Sequence, residues 1–427
     1  MPADEIEIVP IDHPLDATVT PPGSKSITNR AFLLSAMASG SSTIEGALFS
    51  DDTHQMIGAL RHLGFELEAD EPRGRIAIVG TGGTIPATGA NLSVGGAGTA
   101  MRFLAAFVTL GHGRFRLDGN ERMRERPMGE LLDTLITLGA QATSEHGNRC
   151  PPVIIERGPE PFAGGRAAID ASASSQFVSA LLMPAPLWRD GLELSVSGET
   201  ARPFIEMTRR LMETRGATSK VKGDTIVVPG GQSYRAGGFA VEPDASAASY
   251  FAAAAALIGG TVRIRGLDFD SVQGDIAFVQ VLEKMGAEVR STSGEIAITG
   301  RGRLAGVDVA MNAMPDMVPT LAAIAPFATS PTRIRAVGFI RHHESDRLRA
   351  LATELARIGS RVREFDDGLL IEPAAPARPA TIETYDDHRI AMAFAIAGLK
   401  LPGLRIRNPG CVAKTYPNFL ADLARLR

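Results

Sequence analysis

Cysteine is nearly missing from this chain: Cys150 and Cys411 are the only two in 427 residues. That number and separation exclude a disulfide framework and a thiolate metal cage, and fit a reducing, cytoplasmic setting. A basic excess is missing as well. Lys and Arg number 44 against 48 Asp and Glu, a net charge of −4, so no surface-wide footprint for nucleic acid or an anionic membrane is present. Anion binding is left to local clusters. Long apolar runs are the third absence. The Ala-rich stretches are short and broken by Gly or Pro, and the opening MPADEIEIVP is acidic, so neither a targeting peptide nor a membrane span is expected.

What is present is a large supply of core residues, 44% hydrophobic, in a chain too long for one core; two domains are expected. The stretch PPGSKSITNRAFLLSAMASG, from Pro21 to Gly40, carries the pattern that recurs. Gly23, Ser24 and Ser26 suit a turn and a helix N-cap, and Lys25 and Arg30 bring cations to an end where free backbone N–H groups already favour an anion. The helix that follows has scarcely a polar face, which predicts burial.

Self-similarity organises the rest. A short strand after a small-residue turn occurs six times, at Ser42–Leu48, Arg114–Gly119, Leu192–Gly198, Thr261–Gly266, Thr332–Gly338 and Leu404–Gly410, an interval of about 70 residues. Before each strand lies an apolar helix. After it comes a more amphipathic helix that in five copies stops at Gly, namely Gly64, Gly139, Gly216, Gly286 and Gly359. The sixth copy has no returning strand, so the first nineteen residues are expected to supply one. The expectation is an α/β protein of two domains with three repeated units each and buried, parallel helices: residues 1–22 plus 241–427, and residues 23–240. Two crossings between domains would make a hinge.

The segments that open the six buried helices are GSKSITNR, GGAGTAMR, SASSQF, EPDASAAS, NAMPDM and TYDDHR. Parallel helices would bring these starts to one face of each domain, where exposed N–H groups attract anions. Further cations stand at matching loop positions: Arg122, Arg124 and Arg126 in GNERMRERP, RHHESDR at 341–347, and Lys414 in CVAKTYP. Taken singly, each has an ordinary reading. GGAGT lacks the GxGxxG spacing and the Walker Lys-Ser/Thr, RMRER suits an exposed face, Asp316 could be only a cap, and His342-His343-Glu344 and Asp387-His388 lack metal-site spacing. Their joint recurrence at one place in a repeat points instead to a site for small anions.

The motifs PGSKSITNR, AGTAMR, RMRERP, SSQF, ESDR, DDHR and AKTYP resemble, in order and spacing, those of the EPSP synthase (3-phosphoshikimate 1-carboxyvinyltransferase) family over essentially the whole chain. The resemblance implies two inside-out α/β domains that close over shikimate 3-phosphate and phosphoenolpyruvate, and transfer of the enolpyruvyl group to the 5-hydroxyl with release of phosphate. It implies no metal or organic cofactor, no nucleic-acid or membrane partner, a monomer, and a glyphosate target. By the same resemblance Lys25, Ser26, Arg30, Ser174, Ser175 and Gln176 contact shikimate 3-phosphate. Lys25, Gly98, Arg126, Gln176, Arg347, His388, Arg389 and Lys414 contact phosphoenolpyruvate. Asp316 matches the group beside the 5-hydroxyl, a base, and Glu344 the proton donor to the methylene carbon. The expected phosphoenolpyruvate side is the domain holding both termini, and the shikimate 3-phosphate side is residues 23–240.

Several positions depart from the family pattern. Phe339 and His343 stand where Asn and Lys are usual, and His343 keeps a place in the expected site and in the choice of base. A permanent cation is thereby exchanged for a group that titrates near neutrality, which predicts an activity optimum acidward of His343→Lys; superimposable pH profiles would rule this out. Ala201 and Phe204 replace Ser and Tyr, and Arg202 between them is expected to take the phosphate, so Arg202→Ala should raise the KM for shikimate 3-phosphate. Gly96 and Phe103 replace Asn and Pro around the retained Gly98 and leave glyphosate sensitivity open. A related UDP-N-acetylglucosamine carboxyvinyltransferase would carry a reactive Cys within 120–126, where this chain has none, and the RNA 3′-terminal phosphate cyclase pattern is not visible. A non-catalytic phosphometabolite-binding module is disfavoured by the joint presence of Asp316, Glu344, Arg126 and Lys414.

Overall fold

A helix without a polar face can be stable in water only if other elements enclose it, and six such helices govern the architecture. The computed structural model describes residues 4–374 and 377–427. It divides into a middle unit, Gly23–Val241, and a terminal unit, Met1–Pro22 with Glu242–Arg427, whose first three residues lie outside the described part. The chain leaves the middle unit after Val241, whose N–H still bonds Glu45 O at 2.9 Å.

The helices of the middle unit are α1 (Lys25–Met37), α2 (Asp51–His62), α3 (Gly98–Phe107), α4 (Gly129–Thr137), α5 (Ser175–Leu182) and α6 (Arg202–Thr214). One motif is built three times: a strand, a buried helix, a parallel strand, an outer helix and a closing hairpin. In the second copy Ala90–Ser93 runs parallel to Gly113–Asp118 with α3 between them. Gly113–Asp118 then pairs antiparallel with Val153–Arg157, beside Gln141–Ser144. The third copy repeats this with Gly165–Asp170, Leu192–Ser197, Thr225–Val228 and Lys220–Lys222. The first borrows its opening strand from the far end of the unit, where Gly238–Ala240 lies parallel to Ser39–Glu45. Inner helices α1, α3 and α5 are buried almost throughout, whereas α2, α4 and α6 carry one apolar stripe.

The terminal unit has α7 (Ala245–Ile258), α8 (Phe278–Lys284), α9 (Val318–Ile324), α10 (Arg347–Arg357), α11 (His388–Gly398) and α12 (Phe419–Ala424). Its inner helices α7, α9 and α11 pack on one another. The run Ala252–Ala256 in α7, fully buried, keeps side chains small where neighbours approach. The opening strand of the first copy, Leu15–Val19, pairs parallel with Gly260–Arg265. Glu5–Glu7 pairs antiparallel with Arg405–Arg407, so the N-terminal segment supplies the strand that the sixth copy lacks.

Cap chemistry fixes where the inner helices start. Ser24, Ser174, Asp244 and Asp387 each accept from an N–H in the first turn of the following helix, at 3.5, 3.2, 3.0 and 3.0 Å. Each cap of this kind contributes about 0.5–2 kcal/mol relative to alanine. Among the described residues no helix is long and apolar enough to cross a membrane.

Candidate active site

In the middle unit the first residue of α1, Lys25, places its Nζ 3.0 Å from Asp52 Oδ2 near the start of α2. Both side chains are largely enclosed, so this is a partly desolvated ion pair. Arg30, one turn further on, is almost fully buried. It donates to Thr208 Oγ1 at 2.7 Å, Ser26 O at 2.9 Å, and Ser179 Oγ and Phe204 O at 3.2 Å, tying α1 to α5 and α6. None of these acceptors is a carboxylate, and burial pulls the Arg30 pKa down to about 9, still high enough to keep the guanidinium charged at neutral pH. Phe103 lies under it, 5.0 Å from Cζ to the ring centroid.

A second group forms around the start of α3. A Cβ added to Gly98 would lie 2.5 Å from Arg126 Nη1 and 2.6 Å from Arg102 Nη1, so two guanidiniums converge on the helix N-terminus through space that only glycine leaves. Arg102 donates to Gln176 Oε1 at 3.1 Å and to Gly98 O at 3.3 Å, and Gln176 Nε2 donates to Thr99 Oγ1 at 3.3 Å. Ser174 caps α5 beside half-buried Gln176, and Ser175 is buried. Two cations at a helix start form an anion seat. Of the alternating arginines, Arg122 pairs with Glu125 and Arg124 with Asp118 on the surface, leaving Arg126 as the inward one. Arg202 is also superficial, 61% exposed, and paired with Asp224 at 2.9 Å.

In the terminal unit the charges are knotted around Arg347, which is 1% exposed at the first residue of α10. Its Nε donates to Asp387 Oδ2 at 2.8 Å, Nη2 to Glu344 Oε2 at 2.9 Å, and Nη1 to Asp316 Oδ1 at 3.0 Å. His343 Nδ1 lies 3.1 Å from Nη1. Because arginine can only donate, a hydrogen bond between them requires the tautomer in which Nδ1 is the acceptor. Asp316 takes a second guanidinium through Oδ2, 2.7 Å from Arg389 Nη2. Asp316 is therefore no helix cap but a bridge between two arginines. Burial alone would lower the Arg347 pKa, yet Asp387, Glu344 and Asp316 together hold it above the ordinary value; for Arg389, Asp316 does the same.

The other expected site residues of this unit lie on several elements. His388 is wholly buried next to Asp387, Lys414 is half-buried at the end of the helical turn Pro409–Lys414, and Phe339 meets His343 edge-on with centroids 5.9 Å apart. Four groups have no role in the site expected from the sequence. Asp387 has a legible signal, since it stands inside DDHR as the cap of α11, and Arg102 closes AGTAMR. Asp52 starts an outer helix, away from the motifs that recur. Asp275 lies in the turn after Gln273, fully enclosed, and accepts from Ser246 Oγ at 2.6 Å through Oδ2 while Oδ1 has no hydrogen-bond partner among the described residues. Burial, and then the charge of Asp316, push its carboxyl up to about 7. Among the described residues no group of three or more His, Cys, Asp or Glu is arranged to hold a metal ion.

In both units a repeat of buried-helix α/β motifs brings arginines to helix starts, which makes seats for small anions. The family model described as EPSP synthase (3-phosphoshikimate 1-carboxyvinyltransferase) matches residues 9–423, and the chain belongs to that family. It is 48% identical to a 3-phosphoshikimate 1-carboxyvinyltransferase of Nostoc punctiforme over 97% of each chain. It is 43% identical to the chloroplastic enzyme of Solanum lycopersicum, over 99% of this chain and 84% of that one. A solved EPSP synthase from Acinetobacter baumannii superposes with a TM-score of 0.82 at 27% identity, covering 99% of this chain and 98% of the other.

Proposed function

We propose that this chain transfers the enolpyruvyl group of phosphoenolpyruvate to the 5-hydroxyl of shikimate 3-phosphate and releases phosphate, a step toward chorismate and the aromatic amino acids. The observation that carries the reading is Asp316 shared between Arg347 and Arg389, with Glu344 on the same guanidinium. A carboxylate placed to accept a proton, a carboxyl placed to give one and two cations to offset substrate charge are what an addition–elimination on an anionic enol requires.

In the proposed sequence Glu344 protonates the methylene carbon of phosphoenolpyruvate while the 5-oxygen attacks the neighbouring carbon. Asp316 takes the hydroxyl proton, with His343 beside it, giving a tetrahedral intermediate. Phosphate then leaves with the proton that Asp316 had taken, and Glu344 takes back one methyl proton, which forms the enol ether of the product. Proton balance needs only acid–base groups, and no cofactor enters. Arg126, Arg347, Arg389, His388 and Lys414, with Gly98, Gln176 and Lys25, are assigned to phosphoenolpyruvate. Lys25, Ser26, Arg30, Ser174, Ser175, Gln176 and Arg202 are assigned to shikimate 3-phosphate, with Asp316 and His343 at the ring hydroxyls. The middle unit is thereby the shikimate 3-phosphate side and the terminal unit the phosphoenolpyruvate side.

The proposal includes a cytoplasmic monomer without a nucleic-acid or membrane partner, and glyphosate as a competitor of phosphoenolpyruvate. Alanine at Asp316 tests the assignment: kcat should fall by at least about a hundredfold, the usual weight of a general acid–base group. A variant that keeps wild-type kcat would remove Asp316 from the chemistry.

A further inference from the structure

The turn that opens α11 holds two consecutive L-residues, Tyr385 and Asp386, at φ +54° each, a conformation that L side chains seldom adopt singly and rarely in succession. Directly after them come Asp387, which caps α11 and receives Arg347, and Arg389, which donates to Asp316. A strained turn persists only where its surroundings hold it. Asn408 Nδ2 donates to Asp386 Oδ1 at 3.1 Å on one side, and on the other the holding group is Glu354, a wholly buried carboxylate on α10. It accepts from the Tyr385 hydroxyl at 2.7 Å through Oε1 and from the Glu383 N–H at 3.2 Å through Oε2, with Arg357 at 3.5 Å as its cation.

The spacing explains why one helix can do this. Arg347 and Glu354 are seven residues apart, which on an α-helix returns to the same face about 10 Å further along. One face of α10 therefore grips the 383–387 turn at two points, Arg347 on Asp387 and Glu354 on Tyr385 and Glu383. Burial raises the Glu354 pKa while the Tyr385 and Glu383 hydrogen bonds lower it, as expected of a carboxylate kept inside by its partners.

We propose that Glu354, acting through the Tyr385 hydroxyl, is a positioning residue for the reaction: it holds the left-handed turn that delivers Asp387 and Arg389 to Arg347 and Asp316. The proposal rests on the enolpyruvyl-transfer reading for its kinetic consequence, but the geometry it asserts can be read without turnover.

The test uses the full chain with Tyr385→Phe, which removes the hydroxyl and keeps the ring, and with Tyr385→Phe combined with Asp386→Asn, because asparagine adopts the left-handed conformation more readily and keeps the side-chain oxygen that Asn408 bonds. Hydrogen exchange of the 383–389 amides should quicken about tenfold in the single variant and return toward wild type in the double, with residues 23–241 unaffected. In steady state the KM for phosphoenolpyruvate should rise several-fold in Tyr385→Phe, with a smaller change in kcat, and recover in the double variant. Unchanged exchange at 383–389 would overturn the proposal whether or not the chain turns over these substrates. Quickened exchange with an unaltered KM, in a wild-type chain that is active, would reduce Glu354 to a structural role and overturn it too. A wild-type chain that is inactive with both substrates would strike the functional reading alone, leaving exchange to decide the geometry.

Discussion

Replacing Asp275 by asparagine should flatten the pH dependence of folding. In the wild type the carboxyl is enclosed, shares one oxygen with Ser246, and faces the charge of Asp316, with Asp244 adding to that repulsion and Arg389 partly offsetting it. Its folded pKa is raised to about 7 from the ordinary 3.8. The folded state thus binds this proton more tightly than the unfolded chain does. No cost arises below about pH 4; the cost grows as pH climbs toward 7 and is constant above. It reaches about 4 kcal/mol, because each tenfold gain in proton affinity on folding corresponds to about 1.4 kcal/mol. Between pH 5 and pH 8 the wild type should lose roughly 2–3 kcal/mol from this group. Asparagine carries no such penalty, but its amide would face the site where Oδ1 finds no partner, at a pH-independent cost of about 1–3 kcal/mol. The diagnostic is therefore the slope rather than the level. Urea unfolding at pH 5, 6.5 and 8 should show the variant gaining roughly 2–3 kcal/mol on the wild type across that range. Parallel curves across that range would refute the account of Asp275 as a buried, proton-holding carboxyl.

Three further perturbations follow from the site. Arg347→Ala leaves Asp387, Glu344 and Asp316 without their shared cation, and should destabilise the terminal unit by about 3–5 kcal/mol as well as abolish activity; a melting temperature equal to wild type would contradict the buried knot. Gly98→Ala forces the Arg102 and Arg126 guanidiniums aside and should raise the KM for phosphoenolpyruvate about tenfold, a loss near 1.4 kcal/mol, which initial-rate kinetics would read. Burial pushes the Cys411 thiol up to about 12, and burial with the Glu125 charge raises that of Cys150, so iodoacetamide at pH 8 should leave activity intact. Rapid inactivation would count against that expectation.

How much of this was legible in the sequence depended on the kind of signal. The six central strands and six inner helices declared themselves, because full burial removes the polar face and the small-residue turn repeats. The opening strands did not. Opening strands such as Gly238–Ala240 and Asp308–Ala310 have three residues, too few to show alternation, and two of the six openers come from distant chain, Leu15–Val19 and Gly238–Ala240. The missing strand of the sixth copy was recoverable only by counting. In the site, caps and cations were visible as motifs, and Arg30 stood out by its position. That its donors are spent on Thr208, Ser179, Ser26 and Phe204 could not be, since those partners lie up to 178 residues away. The Asp316 bridge was hidden for the same reason: from sequence an aspartate after proline looks like a cap, and only the return of Arg347 and Arg389 makes it the centre of the charge knot. Glu354 gave no signal at all, being one more acid on an amphipathic helix.

The central claim is enolpyruvyl transfer from phosphoenolpyruvate to shikimate 3-phosphate, and phosphate release measures it most directly. Chelator-treated protein should release phosphate from phosphoenolpyruvate when shikimate 3-phosphate is supplied, and not when UDP-N-acetylglucosamine replaces it or when the acceptor is omitted. Release with the nucleotide sugar, or none with either acceptor, would contradict the account.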